Sequence, residues 1–295
     1  MEANLQPSSL PEEERRRLVM RVIEPRETVE GAGVHVLRSI GGPDLDYLDP
    51  FLLLDNFVGG DPAAFEAGFP EHPHKGIETV TYLIDGEMRH RDDQGNEGVV
   101  GPGAVQWMTA GRGVVHDEMP RPHDGHIDGL QLWINLPARD KLVPPSYQNI
   151  AAEQIPVHES HSGVVTRVIA GRAGAVEGPI RGIAAAPTYL DITVPPHTAW
   201  RQPVPAGQAA FAYTLSGRGR FATSDGWREV EARRLVLFAD GGVVEGHGDH
   251  EPFRLLLIAA TPLHEPVARY GPFVMNTRDE ILETIRDLQN GTFGR

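Results

Sequence analysis

Apolar and polar residues alternate along most of this chain in runs of strand length, and the three-to-four spacing of an amphipathic helix appears once, near the end. Residues 18–23 and 34–40 read as strands on either side of a Glu30-Gly31-Ala32-Gly33 turn. Residues 48–57 form a buried apolar run with polar punctuation, followed by a Gly59-Gly60-Asp61-Pro62 loop. Residues 78–84 alternate, Asp85-Gly86 signals a hairpin, residues 87–91 return, and residues 92–96 turn again. Strand-like pieces follow at 98–100, 105–108 and 129–137, a meander rather than a βαβ pattern. After an irregular connection opened by Pro144-Pro145, a second series runs through 163–170, 189–195, 209–215, 235–238 and 253–259. Its Ser216-Gly217-Arg218-Gly219 tip matches Asp85-Gly86 in the first series, so the halves read as a divergent duplication. At the end, Ile281, Leu282, Ile285 and Leu288 mark one helical face, with Asn276 or Thr277 as N-cap and Asn290-Gly291 as the stop.

The pattern predicts an all-β protein of two similar halves in tandem with a short C-terminal helix. The expected boundaries are a flexible tail at 1–18, an N-terminal β domain at 19–145, a linker at 146–162, a second β domain at 163–271, and the helix and tail at 272–295. A length of 295 residues fits two domains, and 33 Gly with 25 Pro supply the turns such a fold needs. The absence of cysteine removes disulfides and thiolate metal sites, which leaves His, Asp and Glu as metal ligands. A net charge of −14 argues against direct nucleic-acid binding. No apolar stretch has the length of a signal peptide or membrane span, so a soluble, cytoplasmic protein is expected.

Chemistry concentrates between Glu71 and Met119. Residues two apart on a strand share a face, so His72 pairs with His74, and His116 with Glu118. Three imidazoles and one carboxylate that converge would hold a divalent transition metal and leave positions open on an octahedral ion, unlike a closed structural zinc site. Glu78, four residues after His74, is the competing carboxylate. No phosphate-binding glycine loop or serine nucleophile elbow is present.

The runs His72-Pro73-His74-Lys75-Gly76-Ile77-Glu78-Thr79, Gln106-Trp107-Met108-Thr109-Ala110-Gly111-Arg112-Gly113, His116-x-Glu118-Met119, residues 130–136 and residues 271–277 resemble the motifs of the pirin family, within the cupin superfamily. The similarity spans about Val19 to Leu288. It implies a bicupin of two double-stranded β-helix (jelly-roll) barrels with one metal in the N-terminal barrel, held by His72, His74, His116 and Glu118, with Glu78 behind the ligands where it could orient an imidazole. In many other cupins the carboxylate at the position of Glu78 is the fourth ligand. The metal implied is Fe(II), with Mn, Ni, Co or Cu as alternatives. The activity implied is that of a quercetin 2,3-dioxygenase, acting on a flavonol-like aromatic and O2 with Glu118 as general base. The rival is an iron-binding regulatory protein that docks a transcription factor or metabolic enzyme. A monomer is expected in either case.

The second half departs from that pattern, having Pro195-Pro196-His197 and then Arg201-Gln202-Pro203 where the His-x-His should be, and Gly246-His247-Gly248-Asp249-His250 on an expected loop. It is expected to brace the first barrel without a metal. Trp107, Met108 and Trp133 are core residues by type and, beside ligand strands, candidates for a substrate cavity. Lys75 should point away from the ligand face and is a candidate for the cavity rim. His90, His123, His126, His158 and His161 lie in polar or turn-rich segments and read as solvated surface residues.

Overall fold

The structure is a computed structural model and describes residues 11–59, 65 and 68–295. Tail residues 1–10 and the Gly60-Asp61-Pro62 part of the predicted loop lie outside the described residues. The chain forms two compact units, each assembled from three separated segments.

The unit that carries the histidine motif comprises residues 25–155, 179–186 and 262–295. Its larger sheet has seven strands in the order Ser146–Ile150, Val105–Thr109, Ile77–Asp85, Ile127–Asn135, Phe51–Gly59, Val34–Ile40 and Arg26–Glu30. A four-stranded sheet, Phe69–His74, Val114–Arg121, Glu87–Asp92 and Glu97–Val100, packs against it. Alternation sends Val34, Val36, Phe57, Leu83 and Ile127 of the large sheet inward against Met88 and Val100 of the small one, which closes a jelly-roll core. Each such side chain contributes about 2 kcal/mol through burial.

The second unit repeats the plan. Seven strands run in the order Val19–Ile23, Leu235–Phe238, Ala209–Ser216, Phe253–Ala260, Thr188–Val194, Val165–Ala170 and Val157–Glu159. Four more, Ala199–Pro203, Val243–Gly248, Gly219–Thr223 and Gly226–Val230, form the opposing sheet, and Phe221, Phe253 and Trp200 meet edge to face between the two. The all-β duplication expected from the pattern is present, strand for strand.

The boundaries differ from those expected. Val19–Ile23 is not the first strand of the N-terminal barrel; it pairs with Leu235–Phe238 and closes the edge of the second unit. Ser146–Ile150 lies in the proposed linker but pairs with Val105–Thr109, and Val157–Glu159 pairs with Val165–Ala170. The C-terminal segment from Pro262 belongs to the first unit, where Phe273–Met275 runs beside the histidine motif through a Lys75–Phe273 bridge. Local patterning marks strands but carries no information about partners so distant in the sequence. In the tail, Glu12–Glu14 forms one turn of 3-10 helix and Arg17 is buried against Pro205 and Ala239 carbonyls.

The helix is Arg278–Asn290, capped by Thr277, whose hydroxyl accepts from Glu280 N while the Glu280 carboxylate accepts from Thr277 N. Gly291 ends it in the left-handed conformation. Its buried face carries Ile281 and Thr284, whereas Leu282 and Leu288 are 45% and 43% exposed, so the predicted apolar face is rotated. Among the described residues no helix is long and apolar enough to cross a membrane.

Candidate metal centre

The two ends of the motif meet on the four-stranded sheet. Phe69–His74 and Val114–Arg121 are antiparallel neighbours with His116 opposite His72 and Val114 opposite His74. The turn after His74 needs glycine: Gly76 has φ of 77°, a Cβ there would lie 2.0 Å from Val274 O, and its N–H donates to Gly111 O at 2.8 Å. That bond ties the first histidine run to the glycine-rich turn that delivers the second.

His72, His74 and His116 each offer a ring nitrogen within 4.8 Å of the others, and their ring centroids lie 4.5 to 5.0 Å apart. His72 Nδ1 bonds the Pro70 carbonyl oxygen at 2.8 Å, which leaves its Nε2 for a ligand. Both ring nitrogens of His74 and of His116 are buried without a hydrogen-bond partner. Four orphaned polar atoms in one place are costly unless something binds them, and neutral imidazoles at these separations fit a metal ion. Burial pushes His116 down to about 3, helped by the nearby His72 and His90 rings against the pull of Asp92. His74 falls well below its usual value through burial and then His116 and His72, with the Pro272 carbonyl, outside hydrogen-bond geometry, pulling weakly the other way. Both rings are therefore neutral donors at physiological pH.

Glu118 is not among the residues whose ligand atoms all lie within 4.8 Å of one another, and the two strands shift register between His116 and Glu118. Its carboxylate accepts from Thr81 Oγ1 and Gln131 Nε2, each at 3.3 Å. Burial raises its pKa, against His72 and these two donors. Glu118, His72 and His74 line one cavity of about 590 Å3. Trp133 forms part of its wall, edge-on to the His74 ring at 5.0 Å.

The other predicted residues divide. Glu78 lies away from the cavity, where its carboxylate accepts from Trp107 Nε1 at 3.2 Å and Thr109 Oγ1 at 3.1 Å; it orients no imidazole, which corrects the role implied for it. Trp107 is committed to that contact, and Met108 packs with Leu52, Ile77 and Val114, so neither lines the cavity. Lys75 is buried away from it, with Nζ 3.9 Å from Asp287 Oδ2 and 5.9 Å from the Phe293 ring centroid. His123 and His126 are exposed beside Asp85.

His90 corrects the surface reading outright. It is 2% exposed, stacked on Tyr147 and hydrogen-bonded to the Gln106 amide, next to Glu118 across the strand pair. The period-two alternation of Met88, His90 and Asp92 signals this burial, since an apolar Met88 sets the inward face. Arg38, Asp55, Gln131 and Arg269 also line the cavity without having been singled out; Gln131 shares its face with Trp133 by the same alternation, whereas nothing local marks Arg269.

In the second unit the corresponding strands Ala199–Pro203 and Val243–Gly248 bury Trp200, Gln202, Val244 and Gly246, none of which is an imidazole or carboxylate. His247 lies on the second of these strands rather than on a loop, against Trp227 at 4.3 Å.

Sequence comparison agrees with this geometry. Residues 33–134 match the family model described as Pirin, and residues 189–294 match that of the Pirin C-terminal cupin domain. A pirin-like protein of Caulobacter vibrioides is 41% identical over 94% of this chain and 99% of its own length. This chain belongs to the pirin family. Pirin from Homo sapiens is 43% identical to it, with 91% of each chain covered. Among solved structures, a quercetin 2,3-dioxygenase from Acinetobacter baumannii superposes with a TM-score of 0.85 at 31% identity, over 95% of this chain and 99% of that chain. The two sandwiches are thus the two cupin domains of a pirin-family bicupin, and the histidine cluster of its first cupin suggests a metal ion.

Proposed function

We propose that this pirin-family protein is a metal-dependent dioxygenase that cleaves a flavonol-like aromatic with O2, with His72, His74, His116 and Glu118 holding one divalent transition metal. One juxtaposition carries the reading: His72, His74 and His116 cluster with ring nitrogens left for a ligand, and His72 and His74 border a cavity of about 590 Å3, a volume suited to a ligand of a few fused or linked rings. The likeness to the Acinetobacter baumannii enzyme named quercetin 2,3-dioxygenase supports it. The resemblance of the motifs favours Fe(II), with Mn, Ni, Co or Cu as alternatives. Glu118 is preferred to Glu78 as the fourth ligand because it borders the same cavity as His72 and His74, whereas Glu78 is bound to Trp107 and Thr109.

When bound, such an ion supplies the charge that acidifies a flavonol 3-hydroxyl and the redox access to dioxygen. The chain supplies the rest. Glu118 borders the cavity and is suited to take the hydroxyl proton, while Thr81 and Gln131 hold its carboxylate in place. Trp133 gives the aromatic substrate a flat wall, and Phe57, Leu53 and Met88 exclude water. A regulatory protein that acts through surface contact needs no such cavity, so that role stands second.

The test is anaerobic reconstitution with each metal in turn, followed by oxygen uptake with quercetin. At least one metal should support uptake, and His72→Ala should abolish it. Glu118→Gln should retain metal yet lower kcat by roughly a hundredfold or more with little change in KM. Uptake no greater than that of His72→Ala for every metal would sink the dioxygenase reading.

A further inference from the structure

Two arginines line the cavity, and only one is neutralised. Arg38 grips both Asp55 oxygens through Nε and Nη2, at 2.8 and 2.6 Å, and lies 2.7 Å from Glu30. Arg269 gives Nε to Gly271 O at 3.3 Å and Nη1 to Leu52 O at 3.2 Å, and among the described residues no carboxylate pairs with it. These are carbonyl contacts, so the charge is unmatched, and of the five N–H donors of a guanidinium three remain. Burial and the neighbouring Arg38 disfavour that charge, only partly offset by Asp46, Asp55 and Glu30.

The position of Arg269 sets what it could recognise. Its guanidinium lies over the Trp133 ring, 5.3 Å from the centroid, while the same indole meets the His74 ring at 5.0 Å and 85°. Arg269, His72 and His74 therefore line one cavity together with this indole, whose Nε1 is also buried without an acceptor. An elongated planar ligand held at the imidazoles would run along Trp133 and place its far end at the guanidinium. A carboxylate there would find a charged planar fork, which binds it bidentately.

We propose that Arg269 determines specificity in this cavity, selecting planar aromatic substrates that carry a carboxylate at the end remote from the histidines over neutral ones. This rests on the dioxygenase reading for the orientation of the ligand, but not for the recognition of the anion. The four carboxylates that border the cavity do not cancel it: Asp55 and Glu30 are held by Arg38, Glu118 by Thr81 and Gln131, and Glu71 is exposed.

The experiment is anaerobic titration calorimetry of the metal-loaded protein with 3-hydroxyflavone-4′-carboxylate, its methyl ester, and 2-naphthoate. Wild type should bind the carboxylate about tenfold more tightly than the ester. Arg269→Gln should reduce that ratio to about one and leave the ester unchanged, which also reports a folded cavity, and Arg269→Lys, which keeps the charge but loses the fork, should fall between. 2-Naphthoate has no hydroxyl to place at the imidazoles, so its affinity should depend on Arg269 equally in wild type and in His72→Ala. Arg269-dependent naphthoate binding without flavonol-driven oxygen uptake would remove the dioxygenase reading and keep this inference. Equal affinity of wild type for carboxylate and ester, or a preference that survives Arg269→Gln, would overturn it.

Discussion

At Glu78 the chain buries a carboxyl whose partners are an indole N–H and a hydroxyl rather than a cation. Burial pushes it up to about 7, against those two hydrogen bonds and with some help from Asp140. The folded protein thus keeps a proton that the unfolded chain releases near 4.5, so this group's contribution to stability is fully present below that pH and is lost as pH rises to about 7. Glu78→Gln should remove that loss, worth about 3 kcal/mol at most, so that thermal melts of the two proteins diverge in favour of the variant between pH 5 and pH 8. Parallel melting profiles would show that Glu78 does not titrate there. The histidine triangle was legible at this scale because strand alternation alone places His72 with His74. The strand pairing at Glu118 was less legible, since no residue announces the register shift between His116 and Glu118.

Among elements, the C-terminal segment does the least expected work. Lys141, one of only two lysines in the chain, is 2% exposed and donates from Nζ to Gly76 O at 2.8 Å, to Val274 O at 2.7 Å and to Asn135 Oδ1. One ammonium thus fastens the turn behind His74 to the strand Phe273–Met275. Lys141→Met would leave those acceptors buried and unmet, at a cost of about 3 kcal/mol. The loosening should appear in hydrogen exchange as faster exchange of the Val274 amide, which donates to Lys75 O at 3.0 Å. Unchanged protection of that amide would remove the clamp. The helix that follows was legible to within a residue because caps are local chemistry, but its buried face was not: Thr284, which bonds Glu280 O, occupies the buried position that Leu288 had been expected to share.

Over the whole chain, the two cupins exchange their ends. The first strand of the sequence completes the second cupin, and the last thirty-four residues complete the first. A fragment cut at the connection near Ile155 is therefore missing residues 262–295 from its own cupin and carries Val19–Ile23 without its partner Leu235–Phe238. Residues 1–155 expressed alone should lack cooperative thermal unfolding, and a sharp transition from that fragment would contradict the interleaving. The duplication was legible because each half repeats the same alternation and turn signals. Its exact bounds were not, because an edge strand looks the same whichever sheet it joins.

One consequence of that exchange concerns time. Arg269, Gly271 and Pro272 form part of the cavity wall beside His74, yet they are synthesised long after the histidine strands. While the chain is being synthesised, the histidine strands can pair before this wall exists, and the imidazoles then face the cell's pool of exchangeable ions without the C-terminal segment beside them. For the proposed metal centre, the choice of ion would then depend on the order of arrival, nascent wall against free metal, as much as on the ligands themselves.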